Sequence, residues 1–178
     1  MLCLLMDVIM NPEKIVLTKP SAADGMAVNK LVASCPPLDT NSAYCNLLQA
    51  SHFSETSVAA RFEDGEIAGF VSGYIIPNQP NTLFVWQVAV SEKARGQGLA
   101  KKMVLSLLER SSCSDVRYIE TSITATNEGS WALFRRLAKQ LEAPLEESIL
   151  FDKQDHFKGQ HDTEHLVKIG PFSVSPKA

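Results

Sequence analysis

A glycine-rich segment, residues 95–100, has the composition of a phosphate-binding loop. It reads Arg-Gly-Gln-Gly-Leu-Ala, follows an apolar run and precedes an amphipathic one. Its small residues let the backbone turn closely around a ligand, and a helix beginning there points free N–H groups and the positive end of its dipole at an anion. Four cations against one acid in residues 92–102 add local positive charge. The segment predicts a diphosphate site; a tight strand-to-helix turn without a ligand is the alternative.

Two nucleotide-binding patterns are absent from this segment. It lacks the G-x-G-x-x-G pattern of dinucleotide-binding proteins and the Lys-Ser/Thr ending of a P-loop. The ligand is therefore predicted to be neither a dinucleotide nor a nucleoside triphosphate.

Glu120 is a candidate acid–base group. It interrupts the largely apolar run of residues 118–124, which alternates as a strand does. A carboxylate there could pair with an amine or accept its proton, while an edge-strand or solvent-facing glutamate is the alternative. On the preceding strand, alternation predicts that Trp86 and Val88 share one face.

Asp39, Ser42 and Tyr44 form a second candidate group. Their spacing places a carboxylate, a hydroxyl and a phenol at one loop-to-helix junction, where all three could contact one ligand. Helix capping explains Asp39 or Ser42 without a ligand, and Tyr44 could be a packing residue.

The histidine and cysteine spacings do not indicate a metal site. His156, His161 and His165 lie close together in the chain but match no zinc pattern. No C-x-x-C occurs among the four cysteines, which are Cys3, Cys35, Cys45 and Cys113. We predict no metal, and we interpret the cysteines as packed, reduced thiols of a cytoplasmic protein.

The composition predicts one folded domain. The chain has 178 residues, of which 45% are hydrophobic and 21% charged, enough for an ordinary core. A formal charge of −3 provides no general attraction for nucleic acid or anionic membranes, and the apolar residues 1–10 are too few to cross a bilayer. We predict an N-terminal tail over 1–14, a single domain over 15–172 and a C-terminal tail over 173–178.

Hydrophobic periodicity predicts a chain of mixed strands and helices. Strands are predicted over 14–19, 58–62, 67–76, 82–90, 116–124, 147–151 and 166–169. Helices are predicted from a capping box at Ser21 to Cys35, from caps at 39–42 to Leu48, and over 99–108 and 128–140. Loops are predicted over 77–81 and 156–165.

The phosphate loop resembles that of the GNAT acetyltransferase superfamily. The acetyl-CoA loop of that family reads Arg/Gln-x-x-Gly-x-Gly/Ala, and Arg95, Gly98 and Ala100 match it. Asn127 and the helical segment 128–134 resemble a second family motif, an Asn followed by Ala-x-x-Leu-Tyr-like spacing. The resemblance implies the GNAT fold, of α/β (α+β) class, with a mixed central β-sheet flanked by helices on both faces.

By this resemblance the phosphate-bearing ligand is acetyl-CoA, acting as co-substrate. The loop amides would hold its pyrophosphate, the main chain of the preceding strand would pair with its pantetheine arm and acetyl carbonyl, and Asn127 would contact the pantetheine. The implied cofactor-binding residues are Val88, Ala89, Val90, Arg95, Gly96, Gln97, Gly98, Leu99, Ala100 and Asn127.

Phe134 departs from the family pattern. Many members have a tyrosine there that protonates the leaving thiolate, and a phenyl ring cannot donate a proton. The acid is therefore predicted to come from elsewhere in the site or from water.

A longer resemblance, from about residue 15 to 172, is to one GNAT branch, the L-2,4-diaminobutyrate acetyltransferases of ectoine biosynthesis. The segments that carry it are 37–48, 84–90, 118–127 and 156–166. Members of this branch acetylate the γ-amino group of diaminobutyrate with acetyl-CoA and are dimeric. The resemblance thus implies a homodimer whose partners are a small diamino acid and acetyl-CoA.

The same resemblance implies a substrate pocket formed by Asp39, Ser42, Tyr44, Trp86, Glu120 and His161. Of these, Glu120, Tyr44 and His161 are the catalytic candidates. Asp39 and Glu120 would each hold an ammonium, while neutral donors such as Ser42 or Tyr44 would meet the substrate carboxylate. Trp86 would wall the pocket or make a cation–π contact, unless it packs in the core.

The expected reaction is direct attack of a neutral amine on the thioester in a ternary complex. Two other functions are also consistent with the sequence. One is a GNAT enzyme acting on another small amine, such as a polyamine or an aminoglycoside. The other is an acyl-CoA-binding sensor that has kept the loop and lost the chemistry, which the phenylalanine at 134 makes worth considering.

Overall fold

The structure is a computed structural model that describes residues 14–173. Cys3 and most of the two predicted tails lie outside these residues. The strands are β1 (Val16–Thr18), β2 (Val58–Arg61), β3 (Ile67–Ile76), β4 (Gln79–Val90), β5 (Tyr118–Thr124), β6 (Leu145–Phe151) and β7 (Glu164–Ile169). They form one seven-stranded sheet in the order β1-β2-β3-β4-β5-β7-β6. Only the β4–β5 pair is parallel; the other neighbouring pairs are antiparallel.

Helices cover both faces of this sheet, as predicted. They are α1 (Gly25–Ala33), α2 (Ala43–Ser51), α3 (Leu99–Leu108) and α4 (Glu128–Gln140). Val28 and Val32 of α1 pack with Phe70 and Ala89 on one face. On the other face, α3 and α4 contribute to a larger core. The α3 residues Leu99, Met103, Val104, Leu107 and Leu108 are all buried, because their spacing places them on one side of the helix.

Several predicted boundaries are wrong. The predicted loop at 77–81 is only a two-residue turn, since β4 begins at Gln79, which pairs with Ile76. β5 begins two residues later than predicted, because the Val116 N–H bonds the Cys113 carbonyl at 3.0 Å in a turn. β6 and β7 each begin two residues early, at Leu145 and Glu164, because antiparallel pairing extends their shared ladder.

A fork between β4 and β5 is the feature that positions the site. The two strands pair only between Thr82–Phe84 and Tyr118–Glu120, and no pairing continues beyond Phe84. Within β4, Gln87 pairs with Ser72 and Val85 with Gly73, so Trp86 is an extra residue in a β-bulge. The main chain of β4 beyond the bulge is therefore not hydrogen-bonded to β5.

The bulge corrects the prediction that Trp86 and Val88 share a face. The Trp86 ring lies 6.4 Å from the Tyr74 ring, whereas Val88 packs against the core formed with α3 and α4. The extra residue reverses the alternation, and so the two side chains lie on opposite sides of the sheet.

No helix within residues 14–173 is long and apolar enough to cross a membrane.

Candidate active site

A cavity of about 590 Å³ lies at the open end of the fork. Its walls come from the end of β4, the 95–101 loop, the first turns of α4 and the segment 35–38 after α1. Most predicted cofactor residues line it: Val88, Val90, Arg95, Gly96, Gly98, Leu99, Ala100 and Asn127. The side chains of two others point away, because Ala89 packs against α1 and Gln97 bonds the Lys93 carbonyl at 3.4 Å.

The loop has the backbone shape that the phosphate-site prediction requires. Gly96 and Gly98 have φ of +76° and +71°, a left-handed conformation that favours glycine. No atom lies within 4 Å of a Cβ built at either position, so the backbone there is open to a ligand. Gly98 is the N-cap of α3 and has no side-chain cap, which leaves N–H groups of the first turn available.

The charged residues that line the cavity are positive. Its charged side chains, Arg95, Lys101 and Arg136, are all cations. Lys93, part of the predicted positive field, is instead paired with Glu66 at 3.2 Å. Arg136 was outside the sequence prediction, although it lies on α4, nine residues after Asn127. Cationic walls around open N–H groups suit a polyanionic ligand.

Asn127 caps α4 and lines the cavity at the same time. Its Oδ1 accepts from the Ser130 N–H at 3.1 Å, which satisfies the capping alternative without removing the side chain from the cavity. Phe134, about two helical turns further on, is only 2% exposed and belongs to the core. Its ring is therefore a packing group.

Glu120 lies in the fork, at the last position of β5 that pairs with β4. It is 7% exposed, and its Oε1 is 3.1 Å from Lys168 Nζ on β7. Burial, and secondly the negative charge of Glu120, raises the pKa of Tyr74 nearby on β3. Trp86, which contacts Tyr74, is 45% exposed and thus forms a wall rather than core. A carboxylate, a protonated phenol and an open indole consequently lie on this face.

Asp39 and His161 meet at the edge of the same region. His161 Nε2 is 3.4 Å from Asp39 Oδ2, and its Nδ1 is 4.0 Å from Glu164 Oε1 and 2.8 Å from the Asp162 carbonyl. The hydrogen bond to the Asp162 carbonyl raises the pKa of His161, and the charges of Asp39 and Glu164 raise it further. The structure therefore brings together two predicted residues that are 122 positions apart.

Ser42 and Tyr44 are not brought into this group. Ser42 Oγ accepts from the Cys45 N–H at 3.1 Å and is the N-cap of α2. Tyr44 is 70% exposed. Capping thus accounts for Ser42, and within one chain the Tyr44 phenol points to solvent.

A chain of side-chain amides that sequence reasoning missed holds the Asp39 segment in place. Gln87 Nε2 donates to the Asp39 carbonyl at 3.0 Å, and Gln87 Oε1 accepts from Asn41 Nδ2 at 2.8 Å. Asn29 Nδ2 donates to the Asn41 carbonyl and to Asn46 Oδ1, which joins α1 to α2. The available signal was the position of these amides inside predicted helices and a strand, where burial requires a partner.

The other two histidines of the 156–165 segment have local partners. His156 Nδ1 accepts from the Asp152 N–H at 2.8 Å, and His165 Nδ1 is 2.9 Å from Glu147 Oε1. Among residues 14–173, no group of three or more His, Cys, Asp or Glu side chains could hold a metal ion.

Comparison with known proteins identifies the family. The sequence model of the Acetyltransferase (GNAT) family matches residues 27–138. The chain is 58% identical to the L-2,4-diaminobutyric acid acetyltransferase of Methylotuvimicrobium alcaliphilum, over 90% of this chain and 92% of the relative. It is 51% identical to the enzyme of the same name from Halomonas elongata, over 89% and 82%.

A solved structure is similar over nearly the whole chain. Diaminobutyrate acetyltransferase EctA from Paenibacillus lautus, in complex with L-2,4-diaminobutyric acid and coenzyme A, superposes with a TM-score of 0.86 at 37% identity, covering 93% of this chain and 99% of that one. The chain therefore belongs to the GNAT acetyltransferase family. Within that family, it belongs to the L-2,4-diaminobutyric acid acetyltransferases.

The contact between Asp39 and His161 generates a prediction about titration. Asp39→Asn removes one of the charges that raise the His161 pKa, so the imidazole should lose its proton at a lower pH. Because the folded-state pKa is raised, the stabilisation from His161 is complete at low pH and is lost as pH rises through the folded-state pKa.

The measurement is an NMR titration of the imidazole signals, with His161→Gln to assign the resonance. Glu66→Gln, which removes an acid paired with Lys93 instead, is the control. An unchanged His161 titration in Asp39→Asn would show that the two groups do not interact in solution.

Proposed function

We propose that this chain transfers the acetyl group of acetyl-CoA to the γ-amino group of L-2,4-diaminobutyrate, within ectoine biosynthesis. The observation that carries the proposal is the fork between β4 and β5, with a cationic cavity at its open end and a buried carboxylate on the adjoining face. The likeness to the Paenibacillus lautus enzyme, whose complex contains L-2,4-diaminobutyric acid and coenzyme A, supports it.

The cavity suits the three parts of acetyl-CoA. Its phosphates are expected at the 96–100 backbone, with Arg95, Lys101 and Arg136 supplying positive charge. The pantetheine arm is expected in the fork, where β4 beyond Phe84 is unpaired with β5 and can offer main-chain hydrogen bonds. This places the thioester near the bulge at Trp86.

The acceptor amine enters from the face that carries Glu120. An alkylammonium ordinarily has a pKa near 10.4, so the site must take a proton before the nitrogen can attack. Glu120 is the described carboxylate closest to the fork in the β5 ladder, and we assign it this role. We assign the second ammonium to Asp39, which is exposed and paired with His161.

The chemical step is a direct transfer. The neutral γ-nitrogen attacks the thioester carbonyl carbon, the carbon–sulfur bond breaks, and the proton lost by nitrogen balances the one gained by the departing CoA thiolate. The buried Phe134 cannot supply that proton. The Tyr74 phenol, whose pKa is raised, stays protonated at neutral pH and is a donor within the same face.

A thiol-release assay with a panel of amines tests the proposal. With acetyl-CoA, we expect rapid CoA release with L-2,4-diaminobutyrate and little with ornithine, spermidine or a lysine peptide. Comparable turnover of the lysine peptide would refute the substrate assignment while leaving an acetyltransferase. Binding of acetyl-CoA without turnover of any amine would instead indicate a sensor.

Substitutions on the two sides of the fork should have separable effects. Glu120→Gln should lower kcat/KM for diaminobutyrate by about 100-fold or more, as expected for loss of an acid–base group, with acetyl-CoA affinity nearly unchanged. Gly98→Val should weaken acetyl-CoA binding first, because φ is +71° and the side chain would point into the open loop.

Calorimetric binding of acetyl-CoA and steady-state kinetics distinguish these outcomes, with the exposed Glu63→Gln as control for Glu120. If acetyl-CoA affinity fell in Glu120→Gln as much as kcat/KM for diaminobutyrate, the result would contradict the assignment of acetyl-CoA and the amine to different sides of the fork.

We also propose that the chain is a homodimer. β6 is an edge strand, and its Ile149 and Phe151 are 60% and 44% exposed. Apolar side chains on an unpaired edge favour association, and a second copy would cover them. Light scattering should give twice 19.5 kDa, and Ile149→Lys should shift the mass towards 19.5 kDa. A wild-type mass of 19.5 kDa would contradict the proposal.

A cytoplasmic location is the final part of the proposal. Cys35, Cys45 and Cys113 are free thiols, as expected in a reducing compartment.

A further inference from the structure

Lys168 and Glu120 form an ion pair on the face of the sheet where the acceptor amine is proposed to bind. Their backbones are direct partners in the antiparallel β5–β7 ladder, and Nζ is 3.1 Å from Oε1. Side chains opposite each other in such a ladder project to the same face. The pair is therefore fixed by strand register and does not depend on the conformation of a loop.

The surroundings hold the Lys168 ammonium in one place. It lies 4.7 Å from the centre of the Tyr118 ring, a cation–π contact. Glu146 of β6 is the partner of Lys168 in the other ladder, so carboxylates from β5 and β6 flank it. The Lys168 side chain nevertheless keeps about a third of its surface exposed, at 34%, so a ligand can reach it.

The pair puts a cation beside the carboxylate that is assigned to the attacking amine. The α-carboxylate of a free diamino acid lies only a few bonds from its γ-amine, and here the Lys168 ammonium lies 3.1 Å from the Glu120 carboxylate. The carboxylate of Glu120 can accept several hydrogen bonds, and the ammonium of Lys168 has three to donate. Each can bind a ligand group and keep its present contact.

The neutral donors that the sequence predicts for the substrate carboxylate supply no charge. Ser42 caps α2 by accepting a hydrogen bond, and Tyr44 is 70% exposed. A carboxylate that leaves water is held more strongly by a charged donor. Lys168 is the cation in direct contact with Glu120.

We propose that Lys168 binds the α-carboxylate of the substrate and makes the site select a free diamino acid over a diamine that lacks the carboxylate. The inference rests on the proposed function and extends it to the carboxylate. It makes Lys168 a specificity-determining residue.

The test compares two acceptors that differ only in the carboxylate, L-2,4-diaminobutyrate and 1,3-diaminopropane. The wild type should prefer diaminobutyrate in kcat/KM. In Lys168→Met, kcat/KM for diaminobutyrate should fall about 10- to 100-fold, the loss expected for a hydrogen bond to a charged group, with diaminopropane changing much less. Lys168→Arg should keep most of the preference, because it retains the charge.

A role of Lys168 in folding alone, or through Glu120 alone, predicts a different pattern. Removing Lys168 would then impair both acceptors equally, because the unpaired Glu120 charge affects any amine. The double variant Glu120→Gln/Lys168→Met removes that charge, and the proposal expects its residual activity to show no preference between the acceptors. Lys30→Met, on the exposed side of α1, is the matched control.

The outcomes separate the two proposals. Equal losses for both acceptors in Lys168→Met, or a preserved preference in the double variant, would overturn the role of Lys168 while leaving diaminobutyrate acetylation intact. A wild type with equal kcat/KM for both acceptors would also overturn the role of Lys168. A wild type that acetylates neither would overturn the proposed function itself.

Discussion

The separation of β4 from β5 is the constraint on which the rest of the molecule depends. Parallel strands that paired along their whole length would leave no unpaired main chain between them. Here the bulge at Trp86 and the end of pairing at Phe84 open the sheet from within. The sheet stays continuous because Thr82–Phe84 of β4 still pair with Tyr118–Glu120 of β5. β3 pairs with the other edge of β4, and β7 with the other edge of β5.

The opened sheet separates opposite charges. Cations from the 95–101 loop and from α4 surround the cavity at the open end, while Glu120 and Asp39 are associated with the face that carries Trp86. A polyanion and a cationic amine can thus approach from different directions and meet at β4. The net charge of −3 does not indicate this separation, because it is a sum over nearly equal numbers of opposite charges.

Much of the fold and the shape of the phosphate loop could be predicted from the sequence. The loop was predictable because glycines before an amphipathic helix are a local signal, and α3 and α4 because their apolar spacing is regular. The shared face of Trp86 and Val88 was predicted wrongly, because one extra residue in a strand is invisible to simple alternation. The contact of Asp39 with His161 was predictable only by resemblance, since it joins distant loops. Lys168 was missed because its position opposite Glu120 depends on the register of β7 against β5.

The amide chain from Asn29 to Gln87 has a consequence for a cell whose ionic strength changes. Salt screens charge pairs, and it acts most strongly on those that are exposed. The groups that hold the Asp39 segment against β4 are neutral side-chain amides and main-chain carbonyls, and Asn46 and Gln87 are buried. Added salt can therefore weaken the attraction between Asp39 and a cationic substrate without moving the residue. Salt then lowers the affinity for the substrate and leaves the position of the Asp39 segment unchanged.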